Sequence, residues 1–225
     1  MGVGNRVLAR PKSTVPPDVI RRFRDAQTPT PNVVDVMARF GTLRGLHRIS
    51  GRYLAGIAIT VRTRPSDNLM VHRALDLAEP GDVLVVDACG GSAHAIIGGL
   101  MARYASHRGI AGIVVDGAVR DVEDLNALGL PVFARGLNPN GPYKDGPGEI
   151  NTPIGCGGEA VLPGDLILGD ADGVVVVPQG DAESVERDAD ALRRHEDTVP
   201  EAITGDRWDR AWITEKLTEN GCEHV

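Results

Sequence analysis

The strongest constraint on this chain is a series of short apolar runs, each closed by glycine or proline. Val83-Leu84-Val85-Val86 shows no polar alternation, so it reads as a strand buried on both faces. Ile110 to Val115 is a second such run and Val132-Phe133-Ala134 a third. Between them the apolar spacing is helical, over Gly99 to His107 and over 121–128, with Gly109, Gly129 and Pro131 as stops. Gly90-Gly91 is expected to break the first strand and Asp116-Gly117 to turn the chain after the second.

The flanking segments follow the same logic. Helical spacing recurs from Pro17 to Phe23 and from Asn32 to Phe40, with Asn32 as N-cap and Val33, Val36, Met37 and Phe40 on one face. Leu54 to Val61 reads as a strand that Thr60 to Thr63 continues, and Asn68 to Ala78 as a helix stopped by Pro80-Gly81. After a Gly/Pro-rich stretch from Gly136 to Gly148, short strands are expected at 150–154, 160–162, 166–168 and 174–177. Pro163-Gly164 and Asp172-Gly173 supply turns there. Asp181 to His195 forms a charged amphipathic helix, and Asp206 to Leu217 a second one. Residues 1–16 read as an arm, and 1–225 as a single α/β domain with a mixed, β-rich middle and outer helices.

Several function classes are disfavoured by composition. The formal net charge is −7 and no cationic block is present, whereas sequence-independent nucleic-acid binding needs a dense basic face. Cys89, Cys156 and Cys222 match no zinc or redox spacing, and their odd number fits a reducing compartment. The N-terminus lacks the apolar core of a signal peptide, and no run has the length of a membrane span. A cytoplasmic protein is expected. His47, His72, His107, His195 and His224 are scattered, with no pair at metal-ligand spacing. No Gly-x-Gly-x-x-Gly follows the strand before Gly90-Gly91, which argues against dinucleotide binding.

The segment richest in chemistry is Gly112-Ile-Val-Val-Asp-Gly-Ala-Val-Arg-Asp-Val-Glu-Asp124. A buried strand delivers Arg120 and Asp121 side by side, and Asp124 shares a helix face with Asp121. Two carboxylates so spaced suit Mg²⁺ or Mn²⁺, and the guanidinium offers a fork for a carboxylate. Taken alone, the two acids serve a helix N-terminus equally well. Gly98-Gly99-Leu100-Met101 opens another helix, where free amides form a seat for a carboxylate and glycine permits close approach. Both segments follow buried strands, whose C-terminal ends converge into a crevice in open α/β sheets.

Over Gly56 to Pro178 the chain resembles the family that joins the regulators of ribonuclease E activity to the class II 4-hydroxy-4-methyl-2-oxoglutarate/4-carboxy-4-hydroxy-2-oxoadipate aldolases. The resemblance rests on Pro-Ser-Asp-Asn-Leu (65–69), Pro-Gly-Asp-Val-Leu-Val-Val-Asp (80–87) and Gly-Ile-Val-Val-Asp-Gly-Ala-Val-Arg-Asp (112–121). It extends through Gly-Pro-Gly-Glu-Ile-Asn-Thr-Pro-Ile (146–154) and through 162–178. Aldolases of this family carry a Gly, twenty residues, then Arg-Asp-x-x-Glu/Asp, and Gly99, Arg120, Asp121 and Asp124 match that pattern. Some carry an acidic residue where this chain has Gly99, so contacts beyond the pyruvyl core are expected to differ.

The resemblance implies a swivelling β/β/α-type sandwich with a mixed sheet, assembled as a homotrimer or a dimer of trimers. It implies Arg120 on the pyruvyl carboxylate or oxo group, Asp121 as ligand to Mg²⁺, Mn²⁺ or another divalent ion, and Asp124 holding the ligand shell. The amides of Gly98 to Met101 would seat the pyruvyl group, with Asn68 beside it. The reaction implied is cleavage of a 4-hydroxy-2-oxo acid to pyruvate, with oxaloacetate decarboxylation alongside. Water polarised beside Asp124 is the first candidate for general base and His94 the second. A Schiff-base route is disfavoured, because none of Lys12, Lys144 and Lys216 lies in a buried strand. The competing reading is a non-catalytic regulator that binds ribonuclease E or a similar partner, for which Asp124 would have no use.

Overall fold

The computed structural model describes residues 2–10 and 12–223; His224, the last of the scattered histidines, lies outside them. Four strands form its parallel centre: β3 (Leu54–Thr63), β4 (Asp82–Ile97), β5 (Gly112–Val119) and β6 (Val132–Leu137). Residues 83–86 and every residue of β5 are buried, as uninterrupted apolar runs require in a sheet covered on both faces. The crossovers are helical: α3 (Leu69–Leu77), α4 (Gly99–His107) and α5 (Val122–Leu128).

Shorter strands make the sheet mixed. β1 (Asn5–Val7) runs parallel to β7 (Gly148–Ile150), and β7 runs antiparallel to the end of β3. The beginning of β3 pairs antiparallel with β10 (Leu166–Gly169), which pairs with β11 (Val174–Val177). β2 (His47–Ser50) closes the other edge on β6, and β8 (Ile154–Cys156) with β9 (Glu159–Val161) is a separate hairpin. The mixed α/β architecture agrees with the sequence reading.

Three apolar clusters hold the layers together. One packs α3 to α5 on the sheet through Val71, Leu75, Met101, Ala105 and Leu125. A second lies on the opposite face beneath β8 and β9, around Phe133 and Leu43. The third joins α1 (Pro17–Ala26), α2 (Thr30–Val36) and α6 (Ala182–Glu196) to β10 and β11, with Phe23 fully buried. Each of the large apolar side chains among them contributes about 1.5–3 kcal/mol by leaving water.

Five local expectations are corrected. Strand β4 continues past Gly90-Gly91, because Cys89 (φ 55°) and Gly90 (φ 69°) are absorbed as register shifts against β5. Strand β5 likewise continues through Asp116-Gly117, with a shift against β6. Asn32 lies inside α2, where its side-chain Nδ2 donates to Glu196, and Pro29 takes the N-cap position. Phe40 is 71 % exposed, since α2 stops at Val36 and Ala38 and Arg39 turn left-handed. The second C-terminal helix starts at Ala211 rather than Asp206 (α8, Ala211–Glu219), because Asp206 is left-handed (φ 52°), and a short helix that the sequence did not announce, α7 (Val199–Thr204), precedes it.

Candidate active site at the strand ends

The C-terminal ends of the four parallel strands bring separate segments together, as open α/β sheets do. The Arg120 amide donates to Ile97 O (3.0 Å), tying the end of β5 to the end of β4. The Asn138 amide donates to Val119 O (3.0 Å), and Arg120 Nη1 donates to Pro139 O (3.3 Å). Arg120 is thereby fixed from both sides while its side chain stays 40 % exposed.

Asp121 adopts a left-handed conformation (φ 62°, ψ 47°), which short polar side chains tolerate best among non-glycine residues. That turn points its carboxylate back at α4, where Oδ2 accepts the Gly99 amide at 2.9 Å and lies 3.7 Å from Arg120 Nε. A side chain at either glycine would crowd this approach and push the carboxylate it meets aside. A Cβ on Gly98 would fall 2.6 Å from Asp121 Oδ2, and one on Gly99 2.7 Å from Asp124 Oδ2. Both acids of the Arg-Asp-x-x-Asp pattern therefore crowd onto the same two-residue turn.

A cleft of about 150 Å³ opens beside this turn. Asn68, Gly98, Leu100, Met101, Arg120 and Asp121 line it, while Gly99 and Asp124 sit behind the turn and do not. The Gly99 amide is thus given to Asp121. No protein acceptor among the described residues takes the amides of Leu100 and Met101, the next two at the positive end of α4. Asn68 is 2 % exposed; its Nδ2 donates to Ile96 O (2.9 Å) and Met101 Sδ (3.2 Å). That pairing fixes the amide orientation and leaves Oδ1 buried without a donor, so a cleft occupant with a hydroxyl or N–H would satisfy it.

The cleft includes two residues that the sequence reading did not place there, His72 and Lys144. Burial, then the neighbouring Lys144 ammonium, holds the His72 imidazole below its ordinary value, against a smaller opposing pull from Asp76. Lys144 arrives through Asp67, a fully buried carboxylate that accepts the amides of Leu69, Asp145 and Gly146 at 2.8–3.0 Å. Burial alone would raise Asp67, but those three amides and Arg64 outweigh it and hold it below the usual carboxylate range. The Asn68 amide to Tyr143 O (3.0 Å) and the Tyr143 amide to Ser66 O (2.8 Å) complete the clamp. Its signal in the sequence is an Asp just ahead of a helix start, whose oxygen accepts the amide two residues on.

His94 serves elsewhere. Its Nδ1 lies 2.9 Å from Ser66 Oγ and its ring packs on Tyr143, so it braces the clamp rather than lining the cleft. Cys89 is no better placed for chemistry, since burial and then Asp87 push its thiol up, away from the reactive thiolate.

No group of three or more His, Cys, Asp or Glu side chains that could hold a metal ion occurs among the described residues. Zinc, which takes three or four protein ligands, does not suit this donor set. Mg²⁺ or Mn²⁺ does: such ions keep much of their water and take one or two carboxylates plus substrate oxygens. Asp121 has one oxygen not engaged by Gly99, and Asp124 is exposed on the same helical turn.

The family model RraA-like, described as Aldolase/RraA, matches residues 30–176. A protein of Halalkalibacterium halodurans, provisionally named a 4-hydroxy-4-methyl-2-oxoglutarate aldolase, is 45% identical over 151 residues, covering 67% of this chain and 72% of its own. The structure of the RNA-processing inhibitor RraA from Thermus thermophilus is 36% identical with a TM-score of 0.62, covering 67% of this chain and 92% of its own. That of Streptomyces coelicolor RraAS2, an unusual member of the RNase ES inhibitor RraA protein family, is 29% identical with a TM-score of 0.76 over 84% and 99%. By its sequence and its fold, the chain belongs to the RraA-like family.

Proposed function

We propose that this protein is a divalent-metal-dependent aldolase. It cleaves 4-hydroxy-4-methyl-2-oxoglutarate or 4-carboxy-4-hydroxy-2-oxoadipate to pyruvate and a second oxo acid, and decarboxylates oxaloacetate as a side reaction. The observation that carries this reading is the convergence of Arg120, the open amides of Leu100 and Met101 and the unpartnered Asn68 Oδ1 on one small cleft, beside Asp121.

Each group has a task in that reaction. The Arg120 fork and the α4 amides hold the substrate's 2-oxo carboxylate. Asn68 Oδ1 accepts a hydrogen bond from the substrate's 4-hydroxyl, which orients the bond to be broken. Cleavage leaves an electron pair on the pyruvyl fragment as an enolate, and the fixed Arg120 charge stabilises the oxygen where it develops. A divalent cation held by Asp121, with Asp124 behind the turn reaching it through its water shell, would supply further positive charge to the 2-oxo acid oxygens. Lys144, on the far wall, answers a second carboxylate, and His72, largely neutral at pH 7, can take up or return a proton.

Two of the solved relatives are named as inhibitors, of RNA processing and of RNase ES, and a regulator that binds a ribonuclease is the second reading. Asp124 favours the enzyme, because its carboxylate completes a two-acid turn for which a binding surface has no need. A homotrimer or homohexamer is part of the proposal: Leu100, 85 % exposed at the cleft, and Tyr104 on the next turn of α4 suit cover by another subunit. Steady-state kinetics of Arg120→Ala and Asp121→Asn test the assignment. Arg120→Ala should lose orders of magnitude in kcat/KM with its melting unchanged, and Asp121→Asn should lose stimulation by Mg²⁺. Full activity in the first, or unchanged metal response in the second, contradicts it.

A further inference from the structure

At the opposite end of β4 from the cleft lies a groove of about 370 Å³, bordered by Asp82 at the start of that strand, the N-terminal segment and α1. Four cations reach it: Arg10, Lys12, Arg21 and Arg24. In a chain of net charge −7 this local excess is the reverse of the average.

The four differ in how they are held. Arg10 is committed to Asp82, with Nε and Nη2 donating to its two oxygens at 3.0 and 2.7 Å, and it lies 3.3 Å from Glu79. Arg24 is oriented by a hydrogen bond from Nη2 to Ala55 O (3.0 Å), which uses one donor and neutralises nothing. Lys12 and Arg21 are exposed and form no ion pair among the described residues, and Arg24 forms none either. Most other arginines of the chain sit beside an acid, including Arg22, the immediate neighbour on α1, which takes both Asp18 and Glu186. Three cations gathered around one concavity without a counter-charge repel each other, and an anion in the groove relieves that repulsion.

The floor gives the anion a shape. Ile57 and Val15 border the groove at 7% and 6% exposure, with Pro17 and Ile20 on the α1 face that also carries Arg21 and Arg24. Planar guanidinium forks match the tetrahedral oxygens of a phosphoryl group better than a lysine-only patch would, and the apolar floor suits a compact ring. The volume falls within the range of small-molecule sites.

We infer that this groove is a second, non-catalytic site for a small phosphoryl-bearing metabolite. The phosphoryl group would be held by Lys12, Arg21 and Arg24 and the body of the molecule laid on Ile57 and Val15. The site is independent of the aldolase reading, since none of its residues approaches the cleft at the far end of the sheet.

Isothermal titration of the full chain at low salt tests this with three probes: inorganic pyrophosphate, AMP and citrate. Pyrophosphate and AMP should bind saturably at one site per chain, with citrate at least about tenfold weaker. Lys12→Ala/Arg21→Ala, which removes two exposed side chains with no polar partner, should weaken both phosphoryl probes at least about tenfold. Its melting temperature should match the parent's, and Arg120→Ala should bind like the parent. Absence of saturable binding, citrate binding as tightly as the phosphoryl probes, or equal affinity in the double variant overturns the inference. Loss of binding in Arg120→Ala would place the anion in the cleft and overturn it as well.

Discussion

Replacing Gly98 by alanine tests whether the glycine turn positions the chemistry or merely reverses the chain. Gly98 has φ −137° and ψ −176°, an extended backbone open to any residue, so the substitution adds no backbone strain. Its cost is steric and local. The new methyl would stand 2.6 Å from Asp121 Oδ2 and 3.1 Å from Arg120 Nε, so the carboxylate must retreat by about 0.8 Å to reach ordinary contact at 3.4 Å. Retreat weakens the Gly99 amide bond now at 2.9 Å. Because Asp121 is 43% exposed, water replaces much of that bond, and the stability loss is about 1 kcal/mol. For a chain of this length that is a fall of about 2–4 °C in Tm.

Activity should suffer far more, because a displacement of that size in a positioned group costs about 100-fold in rate. Pyruvate-release kinetics with calorimetric melting of the same preparation would read both effects. The expected pattern is a kcat about two orders of magnitude lower, a higher Mg²⁺ concentration for half-maximal rate and a nearly parental Tm. Gly155→Ala is the control, since a Cβ there meets nothing within 4 Å. A Gly98→Ala enzyme within a few-fold of parental kcat would refute the positioning argument.

Other perturbations should follow the same geometry. Asn68→Leu, which leaves Ile96 O without its buried donor, should cost about 1–3 kcal/mol by chemical denaturation and raise KM. Lys144→Ala should raise the His72 pKa toward 6.5, because the ammonium is one of the two influences holding it down; NMR titration of the imidazole reads this directly. Asp67 is held low in the folded state, so its stabilisation is present above its unfolded value near 3.8 and is lost as pH falls through the folded value. Melting followed from pH 6 downward should therefore show Asp67→Asn losing less stability than the parent below about pH 4. Arg135→Ala, which strands Asp116 with only the Gly157 amide, should lower Tm by an amount corresponding to about 1–3 kcal/mol, since the guanidinium is itself a third exposed.

What the sequence made legible divides along physical lines. Val83 to Val86 and β5 were readable because burial on both faces demands an uninterrupted apolar run, and no helix of that length competes. The site's central turn was readable mainly through the family resemblance, which links Gly99 to Arg-Asp-x-x-Asp across twenty residues; taken alone, the glycines suit a chain reversal and the acids a helix N-terminus. Strand β1 was not, because its three residues pair with β7 through contacts made in space and Val7 stays 43% exposed. The continuation of β4 past Gly90-Gly91 was missed because left-handed residues mark turns and bulges alike. Lys144 and His72 were hidden for a third reason. The buried Asp67 carboxylate, accepting amides more than seventy positions away, and the backbone bonds of Ser66 and Asn68 to Tyr143 bring the 142–146 segment against α3.

The central claim is that the Arg120–Asp121 turn and its cleft cleave a 4-hydroxy-2-oxo acid with the help of a divalent cation. The most direct test is continuous pyruvate release from 4-hydroxy-4-methyl-2-oxoglutarate, coupled to lactate dehydrogenase, with Mg²⁺ and again with EDTA. The account predicts pyruvate formation with Mg²⁺ that EDTA abolishes. Absence of pyruvate with Mg²⁺ present, or a rate indifferent to EDTA, would contradict it.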